Sequence, residues 1–506
     1  MALTEELVRD TYNKLKNKAA GYIKRGNIQK GLLFTHLAAY TNYSFWLSYH
    51  DDEVESLLKN AEGSIKKREY NKSNVIAGHC VLLDSMARYR GGLTVQYVNA
   101  IIAAGWNLLY ITSQEIKAPH HVELYNYLSS LPGVEIKEVP KKLQGTKRLQ
   151  FIYNAIIDYG AERVYLHCTS SDSLFPVVGC ALPSAIQKFY IDAADHGFRM
   201  GMGACDYVFE FRNLGCSIAV QYRHYPADNI FVLPYYPIMD QLEFKGLPAQ
   251  SENKVIILSG GIFWKIIDKE DTFFKLCQKI IQQNPNAIIL YPGGGDSSIV
   301  ESKIKEYNIS ERFILLGWRD DISELFRHSD IFLNTYPHGG GTMSQYAAHL
   351  KKPIISYRPK GECPNPVENF VCQDHFTEVS SVGEMAFLDE AHRLINDPAY
   401  RKEKAERTYS CVLGIERFHQ YFKKMSVEHQ NLIPFVSDEN VSMPYERLEK
   451  KLKYHNELGE YQMRLVAMAG LNSITLRGEF LKPFVRKIFP KLKRVFFTRG
   501  LHFNRV

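Results

Sequence analysis

Short apolar runs alternate with helix-length stretches along most of this chain, and few folds accept that rhythm. Seven runs come first, at residues 75–83, 107–111, 134–139, 163–166, 187–191, 207–211 and 229–233. Five more open at Val255, Ala287, Phe313, Ile331 and Ile354. Apolar strands separated by helices predict parallel sheets covered on both faces. The polar, Pro-containing stretch 234–254 reads as a linker between the two series. The fold class expected is therefore α/β, with two Rossmann-like domains at residues 71–245 and 250–425. Ligands of such sheets bind beyond the carboxyl ends of the strands, which predicts a cleft between the two domains.

The flanks differ from this core. Residues 1–70 read as a helical extension, with two amphipathic stretches broken at Gly26-Asn27. This is either a brace packed on the next domain or a docking surface; one hairpin is too little for a repeat array. Residues 426–506 form a third region, with a long polar helix near 444–471 and then a basic amphipathic tail. Nine Lys/Arg against one acid, Glu479, lie between Arg477 and Val506. Without them the chain has 53 basic and 54 acidic residues, so the net charge of +7 belongs to the tail.

The opening MALTEELVRDTYNKLK is polar and helical, which predicts no signal peptide, and no apolar run approaches the roughly 20 residues that cross a bilayer. Nine scattered cysteines without CxxC spacing read as reduced thiols of a cytoplasmic protein.

The densest motif lies at residues 312–357. An apolar run ends at Gly317, and Asp321-Ile-Ser-Glu324 reads as a capping box for the next helix. The run at 331–334 then opens into His338-Gly-Gly-Gly-Thr342 before a further helix. Glycines between a strand and a helix let bare backbone approach a ligand, with the helix N-terminus aimed at it. Such a turn suits a phosphate or diphosphate.

In order and spacing, LSGGIFWK (258–265), LYPGGG (290–295), LGWRDD (316–321), DIFLNTYPHGGGT (330–342) and KPI (352–354) resemble the donor domain of a GT-B glycosyltransferase. The resemblance covers roughly 250–420. It implies a nucleotide-sugar donor, UDP-linked, whose diphosphate is held by Lys265, His338, Gly340, Gly341, Thr342 and Ser344. It also implies a nucleotide site at Gly317, Trp318, Arg319 and Gln345. Many retaining members carry two glutamates eight positions apart across this turn. Here those positions hold His338 and Tyr346, which makes inversion the expectation. No DxD-type motif follows a strand, so no metal and no cofactor are expected; amides, a helix dipole and a lysine would stabilise the departing diphosphate.

Inversion needs a base for the acceptor hydroxyl. YIDAADHGFRMG (190–201) places Asp192, Asp195 and His196 after a strand and resembles the ADH-x-F-x-x-G element of a subset of bacterial glycosyltransferases. The residues serve as catalytic candidates, or His196 simply caps a helix. Arg88, Arg90, Gly91 and Gly92, at the first strand–helix junction, form an acceptor-side candidate for an anionic group. His120-His121 and His167-Cys168 lack a third partner at metal-ligand spacing. Glu362, Asn365 and Glu368 either meet sugar hydroxyls or lie in a solvated loop.

The tail, residues 477–506, interleaves cations with Phe, Val, Ile and Leu, which suits an anionic membrane surface on the cytoplasmic side or a solvated segment. No nucleic-acid motif accompanies it, so no nucleic-acid partner is expected. The acceptor expected is a glycan, a lipid-linked glycan or a protein. The alternatives are a nucleotide-sugar epimerase and a non-catalytic partner of another transferase.

Overall fold

The structure, a computed structural model, describes residues 4–90, 93–239, 242–361, 366–373, 376–435 and 441. Gly91, Gly92, Glu362, Asn365, the helix expected near 444–471 and the basic tail lie outside the described residues. The chain divides into two compact units, Met1–Leu233 with the chain from His419 onward, and Pro234–Phe418.

Three helices open the first unit: α1 (Glu5–Lys24), α2 (Ile28–Phe45) and α3 (Asp52–Glu62). Thr4 caps α1 through Leu7 N–H, and Asp51 caps α3 through the amides of Glu53 and Val54. Side-chain acceptors at these ends satisfy helix amides that have no partner one turn back. The helices then bury their apolar faces, including Val8, Leu15, Ala38 and Leu58, in one core with the helices Thr146–Asp158 and Leu174–Ala181.

Seven parallel strands follow: β1 (His79–Asp84), β2 (Asn107–Thr112), β3 (Val134–Glu138), β4 (Arg163–His167), β5 (Gln187–Ile191), β6 (Tyr207–Glu210) and β7 (Ile230–Val232). Their order is β3-β2-β1-β4-β5-β6-β7. The order reverses between β1 and β4, where Asp84 pairs in register with His167. The expected first strand starts too early. Gly78, at φ 78°, turns the chain before His79, and Ile76 N–H bonds to Gly160 instead of a strand. One face of this sheet is aromatic. Phe422, from the helix Ile415–Glu428, packs on Tyr97, Tyr165 and Phe209 at centroid distances of 5.7, 5.3 and 5.7 Å. The same helix is tied down by Arg163, whose Nε donates to Ser426 O at 3.3 Å.

The second unit holds β8 (Val255–Leu258), β9 (Gly261–Ile262), β10 (Ala287–Gly294), β11 (Phe313–Gly317), β12 (Ile331–Leu333) and β13 (Ile354–Ile355). The sheet runs β11-β10-β8-β12-β13, again parallel, with β9 extending beside β10. Its order reverses between β8 and β12. Two of the glycine loops singled out in the sequence leave the sheet at those two carboxyl ends.

Candidate functional site

After β8 the chain passes through Ser259, Gly260 and Gly261. Both glycines have positive φ, 155° and 136°. A Cβ on Gly260 would lie 2.7 Å from Pro292 O, so only glycine fits there. Lys265 follows on a short helical turn. After β12, the turn 334–340 is shaped by its own side chains. Asn334 Oδ1 accepts from Gly340 N at 3.0 Å, and Thr335 Oγ1 donates to His338 O at 2.6 Å. The loops meet where His338 N donates to Lys265 O at 3.3 Å and the Trp264 and His338 rings lie edge to face at 4.8 Å.

The helix Gly341–His349 starts here without a side-chain cap, and Ser344 N is the amide that bonds back to Gly340 O, at 2.9 Å. The amides of Gly341, Thr342 and Met343 precede that first helical bond and have no intrahelical acceptor. Lys265 is half-buried and has no carboxylate within ion-pair distance among the described residues. Burial pulls its ammonium below the usual lysine range. Among the described residues three fully buried hydroxyls, Ser259 Oγ, Ser344 Oγ and Tyr291 OH, have no hydrogen-bond partner. Helix amides without intrahelical acceptors and a half-buried cation at one switch point have the chemistry to receive an anion with several oxygen atoms.

Gly317 and Trp318 are exposed at the end of β11, Trp318 at 79%, and the indole lies over Gly294, where a Cβ would meet it at 3.2 Å. Arg319 and Gln345 are not brought to that surface. The Arg319 guanidinium grips both Asp321 oxygens at 2.6 Å and Gly246 O at 3.2 Å. This also corrects the expected capping box. Asp321 makes no side-chain cap, because Arg319 and the Lys245 amide occupy its carboxylate. Gln345 is buried and donates to Phe370 O. Glu368 likewise turns inward, accepting from the amides of Val379 and Ser380.

In the first unit, the loop after β5 carries the other candidates. Asp195 is fully buried and bound at both oxygens by Arg212, at 2.5 and 2.7 Å. Burial alone would push the carboxyl up; the Arg212 guanidinium outweighs it and holds the group well below the usual carboxylate range. Asp195 is therefore an acceptor only. At 3.2 Å from His196 Nδ1 it fixes the proton of a neutral imidazole on that nitrogen and leaves the Nε2 lone pair outward. The His196 side chain is 41% exposed.

Arg223 brackets the same residue by donating to the carbonyls of Asp195 and Gly197, at 3.1 and 2.8 Å. The Tyr43 ring of α2 fills the space a Cβ on Gly197 would need, 2.6 Å away. Asp192 belongs to the scaffold of this loop, paired with Arg223 at 2.7 Å and Arg199 at 3.4 Å. Glu210 completes the cluster; burial among like charges pushes its carboxyl well up.

Arg88 is exposed, and Arg90 pairs with Glu123 at 2.7 Å. Asp84, at the sheet's switch point, is satisfied internally by Thr94, Tyr110 and two amides. Among the described residues no group of three His, Cys, Asp or Glu is placed to hold a metal, and no helix is long and apolar enough to cross a membrane.

No family model matches the chain, and no curated protein does. Solved structures do match. The Anabaena HepE structure with UDP and glucose is 12% identical at a TM-score of 0.50, covering 69% of this chain and 99% of its own. A mutant of the Thermobaculum terrenum O-GlcNAc transferase is 14% identical at 0.50, covering 82% and 84%. A putative UDP-N-acetylglucosamine 2-epimerase from Listeria monocytogenes is 11% identical at 0.50, covering 71% and 100%. At such identities the likeness is one of architecture: the chain has a GT-B-like fold, α/β with two parallel Rossmann-like sheets and three helices before the first.

Proposed function

We propose that the chain is a glycosyltransferase that takes a sugar from a nucleotide diphosphate, UDP-linked, and passes it to an acceptor hydroxyl with inversion. The observation that carries this reading is Lys265, a half-buried cation with no anion of its own, beside the uncapped helix at Gly341. Cleaving a sugar–phosphate bond leaves charge on the diphosphate. Lys265 and the amides of Gly341 and Thr342 would stabilise it, with His338, Gly340 and Ser344 shaping the turn around it. Those groups supply positive charge from the protein itself, so transfer is metal-independent in this reading. Gly317 and Trp318 would receive the nucleoside. Arg319 and Gln345 then support that region from behind.

His196, oriented by Asp195, is the proposed base: its Nε2 would take the acceptor proton as the hydroxyl attacks the anomeric carbon. Asp192 holds the loop. Arg88 and Arg90, with Gly91 and Gly92 between strand and helix, remain proposed for an anionic group of the acceptor. The acceptor is a glycan, a lipid-linked glycan or a protein, met in the cytoplasm or, through residues 477–506, at the inner face of a membrane.

Thermal shift with UDP and UDP-sugars tests the donor site, since a ligand of the native state raises apparent stability. UDP should stabilise the wild type, and Lys265→Ala much less at the same concentration. No shift with any nucleoside diphosphate would overturn the proposal. A nucleotide-sugar epimerase is the second reading, favoured by the fold it shares with the Listeria protein. Conversion of donor to an epimer without acceptor would identify it; release of UDP only with acceptor would identify the transferase.

A further inference from the structure

The end of α1 and the start of α2 carry a cluster of cations. Between Thr11 and His50 the chain has six Lys/Arg and no Asp or Glu. Lys16 is buried against Asp51 and Glu53. Lys24 and Arg25, at the end of α1, are exposed, and Lys30 is half-buried in the first turn of α2. A second such segment meets them. Residues 139–157 carry four Lys/Arg and no acid, and of these Lys141 pairs with Glu115 at 2.5 Å. A Cβ on Gly145 would lie 3.3 Å from Gln29 N, so the start of helix Thr146–Asp158, with Lys147 and Arg148, abuts the start of α2.

Among the described residues Lys24, Arg25, Lys30 and Lys147 form no ion pair, while Lys67, Arg68 and Arg90 of the same unit pair with Glu62, Asp158 and Glu123. The N-termini of α2 and of helix Thr146–Asp158 contribute two positive dipole ends there, against the one negative end of α1. The surface is also aromatic. Tyr22 stacks on Phe34 at 5.5 Å, with Arg25 and Lys30 over the Tyr22 ring at 5.0 and 5.2 Å.

We infer that this face grips the anionic chain of the acceptor, a phosphorylated or otherwise acidic glycan. The inference rests on the transferase reading and adds the acceptor's chemistry to it. A bilayer is the poorer match, because none of the large exposed hydrophobic side chains lies on either segment, and an interfacial anchor needs them. Cations spread along one face suit a sugar polymer that bears charge at intervals. The geometry relates the face to the proposed base. From Lys30 to Tyr43, which packs beside His196 at Gly197, α2 rises about 20 Å. The face would therefore hold the acceptor several units away from the reacting hydroxyl and select long anionic chains over short neutral ones.

The test uses the full chain and fluorescent dextran sulfate, with neutral dextran, duplex DNA and phosphatidylglycerol vesicles as competitors. Wild type should bind dextran sulfate with an affinity that falls steeply with salt, and ignore neutral dextran. The variant K24E/R25E/K30E should lose about tenfold or more, while K269E/K275E/K305E, with the same change in charge elsewhere, should lose little. Equal loss in both variants, or none in the first, overturns the inference. So does tighter binding of vesicles or DNA through the same three residues. UDP-induced stabilisation, read on the same variants, is unaffected if the donor site is intact. Its absence in wild type would count against the transferase reading and not against this surface.

Discussion

Lys265 and His196 carry the most specific expectations. If Lys265 holds the diphosphate as proposed, replacing it with Ala removes a charge-assisted contact worth about 1.5–3 kcal/mol, and UDP should bind roughly 10- to 100-fold more weakly by calorimetry. The pH dependence follows from the sign of the shift. Only the ammonium attracts diphosphate, and burial lowers the pH at which it is lost. UDP affinity of the wild type should fall on the alkaline side earlier than an ordinary lysine would dictate, and Lys265→Arg should abolish that fall. Replacing His196 with Ala should lower transfer by about 10²–10⁴-fold and leave UDP affinity unchanged; unchanged turnover would remove its role. Both candidates could be picked out because each lies in a short contiguous motif. Arg212 and Arg223 were not. They reach Asp195 across 17 and 28 residues, and nothing in a linear reading links FEFRNLG to the loop after β5. Arg319 differs: its fork is spent on Asp321 only two residues away, a pairing that spacing alone does not distinguish from a free guanidinium.

At the scale of elements, the turn into helix Gly341–His349 depends on a missing side chain. A Cβ on Gly341 would lie 2.8 Å from the Phe370 ring and 2.9 Å from the Tyr235 hydroxyl. Ala would gain about 0.5–1 kcal/mol of helix preference but cost about 1–3 kcal/mol in overpacking. Gly341→Ala should therefore lower Tm and weaken UDP binding together. The β5–β6 charge cluster offers a second check. Glu210 has a folded-state pKa raised by burial, so its protonated form is the one the fold favours. Its contribution is complete at pH below the unfolded value, about 4.5, and is lost as pH rises through the folded value. Glu210→Gln should be at least as stable as wild type at pH 8 and gain less at pH 4, measured by thermal melts. Strand positions were legible to within a few residues, because buried parallel strands are apolar throughout. The start of β1 was missed, because a run of apolar letters does not reveal the turn at Gly78.

For the molecule as a whole, the two units predict two calorimetric transitions. UDP at a hundredfold excess over its Kd should stabilise by about 2.7 kcal/mol the one that contains Lys265 and leave the other in place. The two-series pattern made this doubling readable from the sequence, but the return of the chain to its first unit was not. Phe422 and Ser426, which complete the aromatic face and anchor Arg163, lie on a helix that packs on a sheet whose last strand ends at Val232. On the ribosome, about 190 residues must still be made after that strand before the lid arrives. At roughly 5–20 residues per second, the nascent chain holds an uncovered aromatic surface for on the order of 10–40 s. Synthesis of this protein thus contains an obligatory wait in which a chaperone, or aggregation, competes for Tyr97, Tyr165 and Phe209.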